Sequence, residues 1–293
     1  MKILDMHIHS TNDAAKPEEL LSKMEEAGVY GGCIISNWPE ENNRKIGTSF
    51  DERLERVLQW TEGYEDRLFP VMWIHPAEKN IEEKVHTAVD SGICAFKMIC
   101  NNYSVYEEQP MRVLKEIGSL GKSVIFHTGI LWDGQVSSNH NRPMNWESLI
   151  GLTGLKFSMG HCSWPWIDEC IAMYGKFLNA ILRNGETAEM FFDTTPGTPE
   201  IYREELFTKL FTIGYDVGKN IMFGADCTAN TYKSGWIKKW LEIDKRIMDK
   251  LEVRQDIRED FYYNNVLRFL GKSDEIVSHK SPSGDDSNSW SCK

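Results

Sequence analysis

The chain has 293 residues, 41% of them hydrophobic and including 10 Trp and 13 Phe. That is material for one large core and the length of a single α/β barrel. A net charge of −11 argues against a nucleic-acid backbone or an anionic membrane as partner, but not against a small anionic substrate held beside a metal ion. Seven cysteines, odd in number and with no Cys-x-x-Cys spacing, exclude a disulfide framework in favour of reduced core thiols. With no apolar leader and no run of about 18 apolar residues, the expected location is cytoplasmic.

In chain order, the first apolar run is KILDMHIH (2–9). Pro17 then opens PEELLSKMEEAG, which closes on Gly28, a Pro-first and Gly-last helix. A second strand is expected over GGCIISN (31–37), followed by a helix over 51–60 with Leu54, Val57 and Leu58 on one face. LFPVMWIH (68–75) precedes a helix capped by Asn80, and ICAFKMIC (93–100) and SVIFHTG (123–129) are the fourth and fifth strands. The segment ILWDGQVSSNHNRPMNW (130–146) is long and polar and reads as a candidate lid. LKFSMGH (155–161), AEMFFDTT (188–195) and NIMFGAD (220–226) complete eight strands. Helices are expected from Pro165, Pro199 and a cap at Ser234, with one more near 254–270.

Strand starts recur roughly every 25–37 residues, the length of a βα unit. The expected fold is therefore a single-domain parallel (β/α)8 TIM barrel over 1–271 with an extra C-terminal helix, followed by a polar, Ser-rich and disordered tail over 272–293. A doubly wound sheet is the alternative, but the turn after strand one is HSTND and lacks the glycines of a phosphate-binding loop.

Chemistry-capable residues fall at the ends of these strands. Alternation puts Asp5, His7 and His9 on one face of strand one, with Met6 and Ile8 toward the helices. Lys97 shares a face with Ala95 and Ile99 on strand four, His127 ends strand five, His161 follows strand six, and Asp226 follows strand eight. His-x-His alone is a weak signal, and Asp226 alone reads equally as a helix cap. A buried Lys97 is harder to dismiss, because lysine is rarely buried without a partner. Together, at the C-terminal mouth of a barrel, His and carboxylate groups with open positions make a catalytic site for zinc or, alternatively, manganese. Around the mouth, Asn37, Trp38, Trp73, His75, Trp132, Arg142 and Trp164 are candidate substrate contacts. Cys162 and Cys227, next in sequence to His161 and Asp226, read as packing residues.

The pieces DMHIHS, FKMI, VIFHTG, FSMGHC and IMFGADC, with a closing YYNNVLRFLG, resemble the amidohydrolase superfamily. The nearest branch is that of the amidohydrolase-related (amidohydrolase 2) metal-dependent hydrolases, which also contains non-oxidative decarboxylases. The resemblance covers residues 1 to about 271. It implies that His7, His9 and His127 are metal ligands and that Asp226 is both ligand and proton acceptor. His161 would be a second-metal ligand or a group that polarises substrate or water. Lys97 would be either a carboxylated bridge between two ions or an unmodified contact to a substrate carboxylate, so one or two ions per chain are expected.

The implied function is hydrolysis of a small-molecule amide, lactone or ester by metal-activated water with Asp226 as general base. The alternative is decarboxylation of an aromatic or unsaturated acid. A second resemblance, to histidinol-phosphatase-like phosphoesterases, rests on DMHIHS and the first helix. It lacks the Asp-His that family places after strand two, where this chain has ISNWPEE. The expected partners are a small-molecule substrate and other copies of the chain in a homo-oligomer, with neither nucleic acid nor membrane.

Overall fold

A computed structural model describes residues 1–272 apart from 12, 43, 44 and 46. Nearly all of the expected tail lies outside the described residues. The strands are β1 (Leu4–His9), β2 (Gly31–Ile35), β3 (Leu68–Trp73), β4 (Ala95–Met98), β5 (Ser123–Phe126), β6 (Lys156–Met159), β7 (Glu189–Asp193), β8 (Ile221–Met222) and β9 (Cys227–Thr228). Every neighbouring pair is parallel, in the order β8-β7-β6-β5-β4-β3-β2-β1-β9. The eighth barrel strand is thus split: β8 pairs with β7, and β9 pairs with β1. Two backbone bonds close the seam between them, Met6 N–H to Phe223 O (3.1 Å) and Asp226 N–H to His7 O (3.0 Å).

The helices are α1 (Pro17–Ala27), α2 (Phe50–Gln59), α3 (Ile81–Asp90), α4 (Glu108–Ser119), α5 (Ile167–Asn184), α6 (Arg203–Thr212), α7 (Ser234–Lys250), α8 (Gln255–Glu259) and α9 (Asn265–Phe269). α1 has Pro17 in its first turn and ends on left-handed Gly28, whose N–H reaches the Glu25 and Met24 carbonyls. Ser49 and Glu52 form a capping box on α2. Two expected caps are corrected. Asn80 sits at the start of α3 in a left-handed conformation and makes no cap bond. Ser234 lies inside α7, where its hydroxyl donates to Lys23 O on α1.

The core has two layers. Leu4, Met6, Ile35, Val71, Ile125 and Phe191 fill the barrel, together with Val266 and Phe269 from α9, the extra C-terminal helix. Ile8, Ile34, Met72, Phe96 and Phe126 pack outward against the helices, with Cys162 and Cys227 in the same layer. The six cysteines among the described residues are buried and form no disulfide.

Met6 inside and Ile8 outside would fit no shared inward face for Asp5, His7 and His9. The cause is a register shift in β1: Asp5 is opposite Gly32, but Ile8 is opposite Ile34, so one extra residue is inserted between them. The expected alternation therefore fails at Asp5 and Met6. Asp5 hydrogen-bonds Tyr232 OH (2.9 Å), whose ring belongs to the helix-side layer, while His7 and His9 face the mouth.

The connection after β5 holds no α-helix. Two 3-10 turns, Ser138–Asn141 and Pro143–Leu149, take its place, and Trp146 is fully buried against Phe126 (ring centroids 5.2 Å apart). Of the expected lid, Ile130, Leu131, Trp132, Asp133 and Gln135 line the mouth.

Candidate metal centre

The mouth of the barrel encloses a cavity of about 610 Å3 lined by His7, His9, Lys97, His127, His161 and Asp226, with Trp38, Trp73, Trp132 and Trp164 as aromatic wall. All six site residues expected from the strand ends are brought together. Ligand atoms of His7, His9 and Asp226 lie within 4.8 Å of one another. His9 Nε2 is 3.5 Å and His7 Nε2 is 3.9 Å from Asp226 Oδ1. A tetrahedral shell with metal bonds of about 2.0–2.2 Å brings its donors to about 3.3–3.6 Å of each other, so this donor set, now within 4.8 Å, fits a divalent ion after an inward adjustment.

Hydrogen bonds select which ring nitrogen His7, His127 and His161 present. His7 Nδ1 is 2.7 Å from Asp193 Oδ2, and a carboxylate only accepts, so Nδ1 carries the proton and Nε2 is bare. His161 Nδ1 donates to Thr195 O (3.3 Å), again leaving Nε2 bare. His127 Nε2 donates to Ile130 O (3.2 Å), leaving Nδ1. A second ring nitrogen anchored on a carboxylate or carbonyl is what metal-binding histidines require. His127 and His161 pack edge to face, with centroids 4.9 Å apart, and His161 lies 5.8 Å from His7.

Electrostatics match this picture. Burial, with Lys97 beside it, pushes the His7 imidazole down to about 4, and burial holds His127 well below its ordinary range. Both are neutral near pH 7, the form that binds metal. Partial burial works against the Asp226 charge, but its hydrogen bond to His9 and the nearby imidazoles hold the carboxyl well below the usual range. Lys97 is almost wholly buried, with Nζ 3.2 Å from His7 Nε2, and burial pushes its amine down to about 8. Asp5, pushed up to about 7 by burial, accepts from the N–H groups of His7 and Ala225 and so ties β1 to the split eighth strand.

The turns that carry His161 and Asp226 are conformationally unusual. His161, Cys162 and Ser163 all have positive φ (58°, 44° and 60°), as does Asp226 (54°). Gly197 lies against the His161 ring: a Cβ there would sit 2.6 Å from its Cγ and Nδ1.

Two expected substrate contacts lie elsewhere. β3 ends at Trp73, so His75 falls in the following turn. There its ring accepts from Ala77 N–H, bonds Asn102 (2.9 Å) and packs on Tyr103, outside the cavity. Arg142 is directed outward by the buried turn that starts at Pro143. It pairs with Glu169 on α5 (2.9 Å) and covers Trp166. Trp132, 80% exposed, and Trp164 do line the cavity, as do Asn37, Trp38 and Trp73. Sequence reasoning passed over Asp193, although AEMFFDTT carries the same sign as the other strands, a polar residue closing an apolar run.

A parallel (β/α)8 barrel whose C-terminal mouth gathers histidines and a carboxylate around a metal-sized gap defines a class of barrel metalloenzyme. Residues 4–272 match the family model described as Amidohydrolase, and the chain belongs to that family, as an enzyme of the amidohydrolase superfamily. No curated protein matches it by sequence. Among solved structures it is similar to an uncharacterized TIM-barrel protein from Bordetella bronchiseptica (16% identity, 94% of this chain and 100% of that one, TM-score 0.65). It is also similar to a probable 2-pyrone-4,6-dicarboxylic acid hydrolase from Acinetobacter baumannii (14%, 92% and 100%, 0.61). A third is the 2,6-dihydroxybenzoate decarboxylase from Rhizobium (12%, 92% and 98%, 0.60). These likenesses establish the fold. No helix among the described residues is long and apolar enough to cross a membrane.

Proposed function

We propose that the chain is a metal-dependent hydrolase of a small-molecule amide, lactone or ester. The observation that carries this reading is the His7, His9 and Asp226 cluster, whose carboxylate side chain is 36% exposed at the cavity floor, where water reaches it. His7 Nε2, His9 Nε2 and Asp226 would hold one divalent ion, zinc by the character of the donors or manganese as the alternative, with His127 Nδ1 beside them. The bound ion supplies Lewis acidity and makes water a nucleophile near neutral pH.

Asp226, ionised and open to the cavity, takes the proton of the attacking water and returns it to the leaving group. His161 accepts through its bare Nε2 and orients that water, with its own proton committed to Thr195. Lys97, unmodified, donates from Nζ to a substrate oxygen. The tryptophan wall gives the substrate an apolar, aromatic surface beside these groups.

A decarboxylase is the second reading. What favours it is the same wall, since four indoles suit a flat aromatic acid, and the Rhizobium decarboxylase shares the fold. A phosphoesterase has no such support.

The test is Asp226→Asn on a panel of lactones, amides and esters. The expected result is a rate about 10^2–10^4-fold lower with an ion still bound. Full activity in that variant refutes Asp226 as base, and CO2 release without hydrolysis moves the assignment to the decarboxylase. One ion per chain and a Lys97 of unmodified mass are expected. Two ions together with a carboxylated Lys97 would replace the single-ion reading.

A further inference from the structure

Asp193 does not line the cavity, so it cannot touch substrate, yet it is fully buried beside the proposed metal ligands. An uncompensated carboxylate at such a place is costly, and each of its oxygens is used. Oδ1 accepts from Thr195 N–H (2.9 Å) and from the Thr195 hydroxyl, while Oδ2 accepts from His7 Nδ1. The Thr195 carbonyl accepts from His161 Nδ1. Between them, Thr194 is bound on both sides. Its N–H and hydroxyl donate to Met222 O (3.0 Å each), and its carbonyl accepts from Arg203 of α6. The opposite wall admits no side chain: a Cβ on Gly224 would lie 2.4 Å from Thr195 Oγ1 and 3.0 Å from His7 Cβ. Asp193 at the end of β7 and Thr195 just after it thus hold the outer nitrogens of two histidines, one on β1 and one in the turn after β6, with Thr194 pinned between them.

We propose that Asp193 is a positioning residue that fixes the His7 proton on Nδ1 and so presents Nε2 bare to a divalent ion, while the Thr195 carbonyl fixes the His161 proton on Nδ1 and leaves its Nε2 free to accept. The proposal rests on the reading of His7 as a metal ligand. A purely structural Asp193 would fill the same space without setting a tautomer, and this difference can be measured.

The experiment compares wild type, Asp193→Asn and, as a stability control, Met190→Ala, a buried residue of β7 on the helix-facing side. In Asp193→Asn the side-chain oxygen stays with Thr195 N–H, so the amide NH2 faces His7 Nδ1. That nitrogen must then accept, and the proton moves to Nε2. Imidazole nitrogen NMR of the metal-free protein should show an Nδ1–H His7 in wild type and an Nε2–H His7 in the variant. Zinc affinity, measured by chelator competition, should fall about 10- to 100-fold in Asp193→Asn and stay unchanged in Met190→Ala.

An unchanged tautomer, an unchanged affinity, or an equal loss in the control overturns the proposal. If the variant does not fold, an Nε2–H His7 in the wild-type protein overturns it alone. A tautomer switch in a protein that binds no divalent ion would instead refute the metal reading and leave the positioning role intact.

Discussion

Replacing Asp244 by asparagine strands the Arg203 guanidinium in the core. Both side chains are almost fully buried, and the pair is bidentate, with Arg203 Nε to Asp244 Oδ1 at 2.8 Å and NH2 to Oδ2 at 2.7 Å. Arg203 is further enclosed by Phe207 and Trp240, at 4.7 and 5.2 Å from its guanidinium carbon. Removing one partner of a buried ion pair costs about 3–5 kcal/mol, because the other charge stays desolvated. At about 2 °C per kcal/mol for a barrel of this size, that is a fall of about 6–10 °C in melting temperature. Calorimetry and urea unfolding followed by tryptophan fluorescence measure it. The double variant Arg203→Met, Asp244→Leu restores most of the stability, since an apolar pair of similar volume replaces a buried ion pair at little net cost. It does not restore the grip on the Thr194 carbonyl, so its zinc affinity stays below wild type. A loss under about 1 kcal/mol in Asp244→Asn would show that water reaches Arg203 and would refute the account of the pair as a sealed brace behind the site.

The Lys97 amine, at about 8 in the fold against an ordinary 10.5, favours its neutral form on folding. The resulting cost, about 3 kcal/mol, is present in full below about pH 8 and fades as the pH rises toward 10.5. Metal-free Lys97→Met is therefore expected to be more stable than wild type at pH 7, with the gain narrowing above pH 8; a gain that does not vary with pH sinks the explanation. Gly197→Ala places a methyl 2.6 Å from the His161 ring and should displace it from Thr195 O, lowering kcat while the His7, His9 and Asp226 ion is retained. A fully active Gly197→Ala enzyme removes His161 from the mechanism.

Much of this was readable from residue types. Each buried strand is a short apolar run between turn residues, and all eight fall where they were expected, with the eighth divided in two. Lys97, His127, His161 and Asp226 converge because strand ends of a parallel barrel share one mouth. The failures have separate causes. One inserted residue in β1 turns Asp5 away from His7, and nothing in LDMHIH announces a bulge. His75 was placed by counting past the end of β3, where the chain had already turned, and Arg142 by its position in the polar segment read as a lid. Pro143 and Trp146 gave the region after β5 a packed 3-10 path in place of a free lid. Asp193 carried a signal as good as that of Asp226, but a residue serving another residue looks no different in sequence from one serving the fold.

The backbone at His161 and Asp226 bears on whether these residues are there for stability or for chemistry. A left-handed conformation costs a non-glycine residue roughly 1–2 kcal/mol, and four such residues occur in the turns that end the sixth strand and split the eighth. Together they approach the net stability of many domains, about 5–15 kcal/mol. Glycine would remove the cost, and the neighbouring positions Gly160 and Gly224 show that glycine is accommodated in both turns. The turn after β6 is instead held from outside by Thr128, whose Oγ1 donates to Gly160 O (2.6 Å) and accepts from Ser163 Oγ (2.8 Å), and from within by Trp164 N–H to His161 O (3.1 Å). A chain optimised for folding alone gains nothing from an imidazole and a carboxylate at these two places. Both are aimed by that costly backbone into one cavity, beside His7 and His9. Strain that the surrounding structure over-determines, at residues whose side chains enter one cavity, is the pattern of a site kept for its chemistry.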